Sequence, residues 1–81
     1  MSTSLFVGNI PYGAMEREIQ EHFSKCGQVD NVRFVMDFKR GRFRGFGFVT
    51  MPEDDAKAAV ELLNQSEFQE RQLIVSIARA S

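Results

Sequence analysis

Residues 44–51, RGFGFVTM, decide how this chain folds, because they place two phenylalanines one residue apart between glycines. Side chains alternate between the two faces of a β-strand, so Phe46 and Phe48 share one face of the sheet. Arg44 and Thr50 have the same parity and lie on that face too. Burying an unpaired arginine costs on the order of several kcal/mol, so this face is predicted to be the open one.

The opposite face of the same strand carries Gly45, Gly47, Val49 and Met51. We expect the two apolar side chains to lie in the core and the two glycines to let a helix approach closely. The strand therefore has one packing face and one open face, and its two aromatic rings are on the open one.

A second apolar run, LFVGNI at residues 5–10, follows the same logic. Leu5 and Val7 suit the core, which places Phe6 on the open face. Three exposed rings forgo burial worth about 25 cal/mol per Å² of apolar surface, and such a patch usually marks a partner surface. A C-terminal segment, a crossing loop or a second copy of the chain is the alternative occupant of this face.

Hydrophobic periodicity predicts the rest of the architecture. Before the third strand, it predicts a helix over residues 14–25, a strand over 29–36 with Val32 and Phe34 facing inward, and a loop or hairpin over 37–43. After that strand, a second helix begins at Glu53 and closes with Asn64 in the left-handed conformation. A connection or small hairpin over 65–71 and a last strand over 72–78 complete the chain. The order β-α-β-β-α-β predicts an α+β fold, the ferredoxin-like sandwich of a four-stranded antiparallel sheet with both helices on one face. With 81 residues, we expect a single domain over 1–81.

The net charge is −1, but the charges are unevenly distributed. Residues 33–44 carry five basic residues and one acidic residue, a net +4, whereas the rest of the chain carries five basic and ten acidic residues, a net −5. One end of the molecule is therefore predicted to attract polyanions. A solvated loop has the same composition, so charge alone leaves both interpretations open.

Several classes of protein need residues that this sequence lacks. Cys26 is a single cysteine, which allows no internal disulfide and favours a cytoplasmic protein with a reduced thiol. His22 is the one histidine, so a zinc site has too few ligands, and we expect a half-buried or solvated helix residue. The acidic residues 53–55 suit a helix start better than a metal site. No apolar run approaches the roughly 20 residues that span a bilayer, and the N-terminal residues show no signal peptide.

The composition of the open face suits unstacked bases. Every base offers a π-face to an aromatic ring, and stacking contributes about 1–3 kcal/mol per base. The phosphates beside those bases pair with arginine and lysine. Rings interleaved with basic residues therefore predict a surface for single-stranded nucleic acid.

Two stretches resemble the motifs of the RNA recognition motif family. RGFGFVTM is similar to the longer ribonucleoprotein motif, K/R-G-F/Y-G/A-F-V-x-F/Y, and LFVGNI resembles the shorter one. The two stretches lie on strands that this fold places side by side at the centre of the sheet. The resemblance covers nearly the whole chain and extends to small single-domain bacterial RNA-binding proteins.

The resemblance implies roles for individual residues. Phe6 and Phe46 match positions that stack on two successive bases, and Phe48 matches a position whose ring packs against sugars or between nucleotides. Arg44 matches a basic position that pairs with a phosphate. The other implied RNA-binding positions are Asn9 after the first strand, Lys39, Arg40 and Arg42 in the basic loop, and Ala78 and Arg79 at the close of the last strand. A purely structural role in shaping its loop is the alternative for Asn9.

The sequence departs from the family pattern at Met51, where an aromatic residue is usual. This side chain should face the core, so the change affects packing rather than binding. Phe38 and Phe43 are extra aromatic residues in the basic loop, and either stacking on RNA or packing on the strand ends would account for them.

The implied function is binding of single-stranded RNA by a cytoplasmic monomer that needs no metal, cofactor or membrane, in a post-transcriptional regulator or RNA chaperone. Single-stranded DNA is an alternative ligand, because the discriminating contacts are to the 2′-hydroxyl. A protein-interaction module is the alternative function. An enzyme resembling acylphosphatases would need an arginine in the loop after the first strand, and the nearest one, Arg17, lies within the predicted helix.

Overall fold

The computed structural model describes residues 1–37 and 42–78, with residues 36, 37 and 42–44 described through their backbone alone. The elements in chain order are β1 (Ser2–Gly8), α1 (Glu16–Ser24), β2 (Asn31–Asp37), β3 (Arg42–Pro52), α2 (Glu53–Leu63), β4 (Glu67–Phe68), β5 (Arg71–Gln72) and β6 (Ile74–Ile77). One antiparallel sheet has the strand order β2-β3-β1-β6, and β4 pairs with β5. The predicted ferredoxin-like α+β fold is confirmed. Most of the predicted loop over 37–43 lies outside the described residues.

The core lies between one face of the four-stranded sheet and the two helices. Side chains with at most 1% exposure come from both layers: Leu5, Val7, Val49, Met51 and Val75 from the strands, and Ile19, Phe23, Ala56 and Ala59 from the helices. Val32 and Phe34 are partly buried and pack against this cluster. The alternation predicted for the first three strands is therefore confirmed. Each fully buried aliphatic side chain contributes about 1.5–3 kcal/mol, so this single face supplies most of the stability.

The end of α2 differs from the prediction. Asn64 has φ −62° and ψ 128°, which is extended backbone, and the left-handed conformation is found at Gln65, with φ 66°. The reason is a tertiary hydrogen bond, because the backbone N–H of Val75 donates to Oδ1 of Asn64 over 3.0 Å. The prediction of a left-handed Asn64 is therefore wrong, since its side chain is used to attach the helix to β6.

The predicted last strand over 72–78 is divided in two. The N–H of Leu73 donates to the carbonyl of Ser66 over 2.9 Å, which folds the intervening chain into the β4–β5 hairpin. Gln69 and Glu70, at the tip of this hairpin, both have positive φ angles of 48° and 69°, as a tight two-residue hairpin turn requires. The small-hairpin alternative is confirmed, and β6 begins later than predicted.

Gly47 is held against a neighbouring strand rather than against a helix. A Cβ at this position would lie 2.6 Å from the carbonyl oxygen of Arg33 and 3.1 Å from Cα of Phe34. The register between β2 and β3 shifts just beyond this point, between Phe34 and Met36. The expectation of a close helix is therefore wrong at Gly47, and the backbone of β2 is what requires glycine there.

Gly47→Ala is expected to lower the free energy of unfolding by about 1–3 kcal/mol, because the added methyl group meets backbone atoms that cannot move aside easily. Gly13→Ala is the matched control, since a Cβ there has no heavy atom beyond its chain neighbours within 4 Å. The control should be as stable as the parent, or more stable by up to about 1 kcal/mol. Urea unfolding followed by circular dichroism measures both, and equal midpoints for the two variants would contradict the packing argument.

His22 is a half-buried residue of α1 that packs between two phenylalanines. Its ring meets Phe68 edge to face at a centroid distance of 5.2 Å and Phe23 at 6.0 Å, and its Nε2 shares a hydrogen bond of 3.2 Å with Oγ of Ser66. Burial, and secondarily the nearby charge of Lys25, lowers the pKa of His22. The expectation of a half-buried helix histidine is confirmed, and its neutral form is the one that fits this site.

The lowered pKa of His22 predicts that acid destabilises the fold. As the pH falls below the ordinary histidine value of about 6.5, the unfolded chain takes up a proton before the folded chain does, so stability is lost. The His22→Gln variant cannot take up this proton. Between about pH 8 and about pH 5.5 the parent should therefore lose more of its free energy of unfolding than the variant. The carboxylates that line the same groove, Glu18, Glu21 and Glu67, are present in both proteins, so equal losses would refute the assignment to His22.

Candidate nucleic-acid interface

Three aromatic rings lie together at the centre of the sheet, on the face opposite the helices. Phe6 of β1 is the direct cross-strand partner of Phe48 of β3, and Phe46 lies one pleat further along β3. The ring centroids are 5.5 Å apart for Phe6 and Phe46, 6.2 Å for Phe6 and Phe48, and 6.4 Å for Phe46 and Phe48. All three side chains are partly exposed. We call these three rings the platform.

The rings of the platform are not equivalent in orientation. Phe6 and Phe46 are tilted by 35° to each other, so their faces point in similar directions, whereas Phe48 stands nearly edge-on to both, at 69° and 88°. Gly8 determines how Phe6 lies, because a Cβ on that glycine would be 2.9 Å from Cε2 of the ring. The absence of a side chain at Gly8 therefore lets the Phe6 ring lie along β1 toward Phe46.

Polar side chains extend the same face beyond Phe48. Arg33 of β2 is the cross-strand partner of Phe48, and the next row of the sheet brings Asn31, Thr50 and Ser4 side by side. Together with Ser2 and Ala78 these residues line a shallow groove of about 610 Å³, which we call the polar groove. Its hydroxyl, amide and guanidinium groups can donate hydrogen bonds to phosphates and base edges.

A second groove, of about 320 Å³, lies at the other end of the platform. Phe6 and Phe46 of the platform line it together with Tyr12 from the loop after β1, Arg71 from the β4–β5 hairpin and Ile74 from β6. We call it the loop-end groove. The platform therefore continues into a groove on each side.

Asn9 connects the two parts of the chain that border the loop-end groove. It has a left-handed backbone, with φ 60°, and its Nδ2 donates a hydrogen bond to the carbonyl of Gln72 over 2.8 Å. β1 has already ended at Gly8. The contact supports the structural role for Asn9, which fixes the loop after β1 against the hairpin.

The structure describes only some of the other residues predicted to bind RNA. Ala78 lies at the edge of the polar groove, where its N–H donates to the carbonyl of Ser4 over 2.9 Å. Arg42 and Arg44 belong to β3 by their backbone. Lys39, Arg40 and Arg79, as well as Phe38, lie outside the described residues, and Phe43 is described through its backbone alone.

Sequence reasoning did not select Arg33, Tyr12 or Arg71 for this face. The parity that turns Val32 and Phe34 inward also turns Arg33 outward, so its place could have been found from the sequence. Tyr12 and Arg71 gave no such signal, because each lies in a turn or a hairpin whose position depends on tertiary contacts. Among the described residues, no cluster of three or more metal-binding side chains occurs, and no helix is long and apolar enough to cross a membrane.

The model of the RNA recognition motif matches residues 5–74 of this chain. The chain belongs to the RNA recognition motif family. Its paired motifs place the platform on β1 and β3, the two central strands of the sheet. The resemblance that the two motifs indicated is thereby confirmed.

Relatives of this RNA recognition motif include proteins of plants, bacteria and mammals. The chain is 37% identical over 81 residues to the small RNA-binding protein 11, chloroplastic, of Arabidopsis thaliana. The aligned region covers 99% of this chain and 56% of that one. It is 39% identical over 77 residues to the putative RNA-binding protein RbpB of Nostoc, covering 94% of this chain and 75% of that one. The chain spans 32% to 58% of the length of its Arabidopsis relatives.

Solved structures share the fold closely. The RNA-binding protein PG1 superimposes with a TM-score of 0.88 at 39% identity, covering 98% of this chain and 96% of that one. The Sxl-lethal protein/RNA complex superimposes with a TM-score of 0.88 at 30% identity, covering 100% of this chain and 49% of that one. The second of these relatives is therefore known with RNA bound.

Proposed function

We propose that the open face of the sheet binds single-stranded RNA, with Phe6 and Phe46 stacking on two successive bases and Phe48 packing against sugars. The observation that carries this proposal is the platform itself, three partly exposed rings within 6.4 Å of one another at the centre of the sheet. Rings in this position contribute less to the stability of the domain than buried rings would, because they forgo burial. A flat apolar partner that covers the rings removes their faces from water, and a nucleic-acid base is such a partner.

The family supports RNA as that partner. Its relatives include RNA-binding proteins, and two solved members hold RNA. This membership favours a binding module over an enzyme. The positive charge that phosphates require comes from Arg33, Lys39, Arg40, Arg42 and Arg44, in a chain whose net charge is −1.

The expected affinity is modest. Three stacked rings contribute a gross stabilisation of about 3–9 kcal/mol, from which the costs of association are subtracted. A Kd near the micromolar range follows for a stretch of two to four nucleotides. We place such a domain, acting as a cytoplasmic monomer, in post-transcriptional regulation or as an RNA chaperone, where weak and reversible contacts are useful.

Replacing a platform ring should weaken RNA binding without unfolding the domain. Phe6→Ala, Phe46→Ala and Phe48→Ala are each expected to cost about 1–3 kcal/mol, which raises the Kd about 5- to 150-fold. Fluorescence anisotropy with octamers of A, C, G and U measures the effect, and the same octamers made of DNA test the sugar preference. Leu62→Ala is the control, because Leu62 is a large, 67% exposed side chain of α2.

The platform proposal fails if the three phenylalanine variants remain folded and bind every octamer as tightly as the parent. If the parent binds none of the octamers but captures a protein through the same face, the protein-interaction alternative replaces it. Urea midpoints of each variant separate a loss of binding from a loss of folding.

Arg33 is expected to bind a phosphate beside the nucleotide on Phe48. For single-stranded nucleic acid, each phosphate contact contributes about −0.7 to the slope of log K against log salt concentration, so Arg33→Gln should reduce the slope by about that amount. Arg17→Gln is the matched control, because it removes the same charge from the exposed surface of α1. An unchanged slope, with an affinity loss confined to one base, would contradict the phosphate role and assign Arg33 to a base edge.

A further inference from the structure

We propose that the loop-end groove binds one additional nucleotide, with Tyr12 stacking on its base and Arg71 pairing with its phosphate. This inference rests on the proposed function, because the groove extends the platform. Phe6 and Phe46 are among the residues that line it, so a strand that stacks on these two rings lies next to the groove. The volume of about 320 Å³ lies at the lower end of the range for small-molecule clefts and suits a single nucleotide.

Tyr12 is presented to the groove by a defined turn. The N–H of Ala14 donates to the carbonyl of Pro11 over 3.1 Å, which closes a turn around Tyr12 and Gly13. Tyr12 is 72% exposed, an unusual position for a large aromatic side chain. Because the turn fixes its backbone, Tyr12 has less conformational freedom to lose on stacking than a residue of a flexible loop would.

Arg71 reaches the same groove from a distant part of the sequence. It lies on β5, next to Gln72, whose carbonyl accepts the hydrogen bond from Nδ2 of Asn9. That bond joins the hairpin to the loop that carries Tyr12, so the two walls are fixed relative to each other. A guanidinium beside an aromatic ring matches a nucleotide, which offers a phosphate and a π-face together.

Gly45 of β3 also lines the groove. It has φ 83°, and its carbonyl accepts a hydrogen bond from the N–H of Ile10 over 2.9 Å. The start of the Tyr12 loop is therefore attached to β3 as well as to the hairpin. A groove held on both sides before binding has less ordering entropy to lose than a flexible loop would.

The test is a length series measured by calorimetry. The homopolymer that the parent binds best as an octamer is used in lengths from about two to about eight nucleotides. Parent affinity should rise when the strand becomes long enough to reach beyond the platform. Tyr12→Ala should weaken the long oligonucleotides about 5- to 100-fold more than the dinucleotide, and Tyr12→Phe, which keeps the ring, should resemble the parent. Leu62→Ala is again the control for loss of an exposed apolar side chain.

Arg71→Gln provides an independent readout. It should reduce the salt slope by about 0.7 for the long oligonucleotides and by much less for the dinucleotide, whereas Arg17→Gln should not distinguish the two lengths. The inference is overturned if Tyr12→Ala weakens short and long oligonucleotides equally, or has no effect, while Phe6→Ala and Phe46→Ala still weaken both. If those phenylalanine variants also have no effect at any length, the platform proposal has failed instead.

Discussion

The pairing of β1 with β3 is the constraint on which both faces of this protein depend. Its register sets Phe6 opposite Phe48 and Leu5 opposite Val49. Because side chains alternate along both strands, this one alignment sends the aliphatic pair into the core and the aromatic pair to the open face. A slip of one residue would exchange the faces, exposing the core and burying the platform. The same strand register therefore sets both the core and the open face.

The open face is possible because the domain is small. Two helices of 9 and 11 residues cover one side of a four-stranded sheet, and the buried cluster on that side is built from fully enclosed aliphatic and aromatic side chains. Stability then depends on close packing, as the contact between Gly47 and the β2 backbone illustrates. The other side carries rings, hydroxyls and a guanidinium that contribute little to folding. Folding therefore places little constraint on which residue types occur on the open face.

Much of this arrangement could be predicted from the sequence, because strand parity is a local property. The burial of Val49 and Met51 and the openness of Phe46 and Phe48 follow from strand alternation together with the polar Arg44 on the phenylalanine face, and the same parity already contained Arg33. What could not be predicted depends on tertiary hydrogen bonds. Asn64 is drawn away from the left-handed conformation by the N–H of Val75. Tyr12 and Arg71 line one groove, where the hydrogen bond from Asn9 to Gln72 joins their two segments. No local pattern encodes such partners.

If RNA lies on this face, affinity and selectivity have different sources. A phenylalanine ring stacks on any base, so the platform binds without discriminating among sequences. Discrimination requires donors and acceptors at fixed positions, and on this face they occur in the polar groove, where Asn31, Thr50 and Ser4 form one row beside Arg33. These side chains stand on paired strands, which hold their positions better than loops do. A change in this row should therefore alter which bases are preferred more than how tightly a strand is bound.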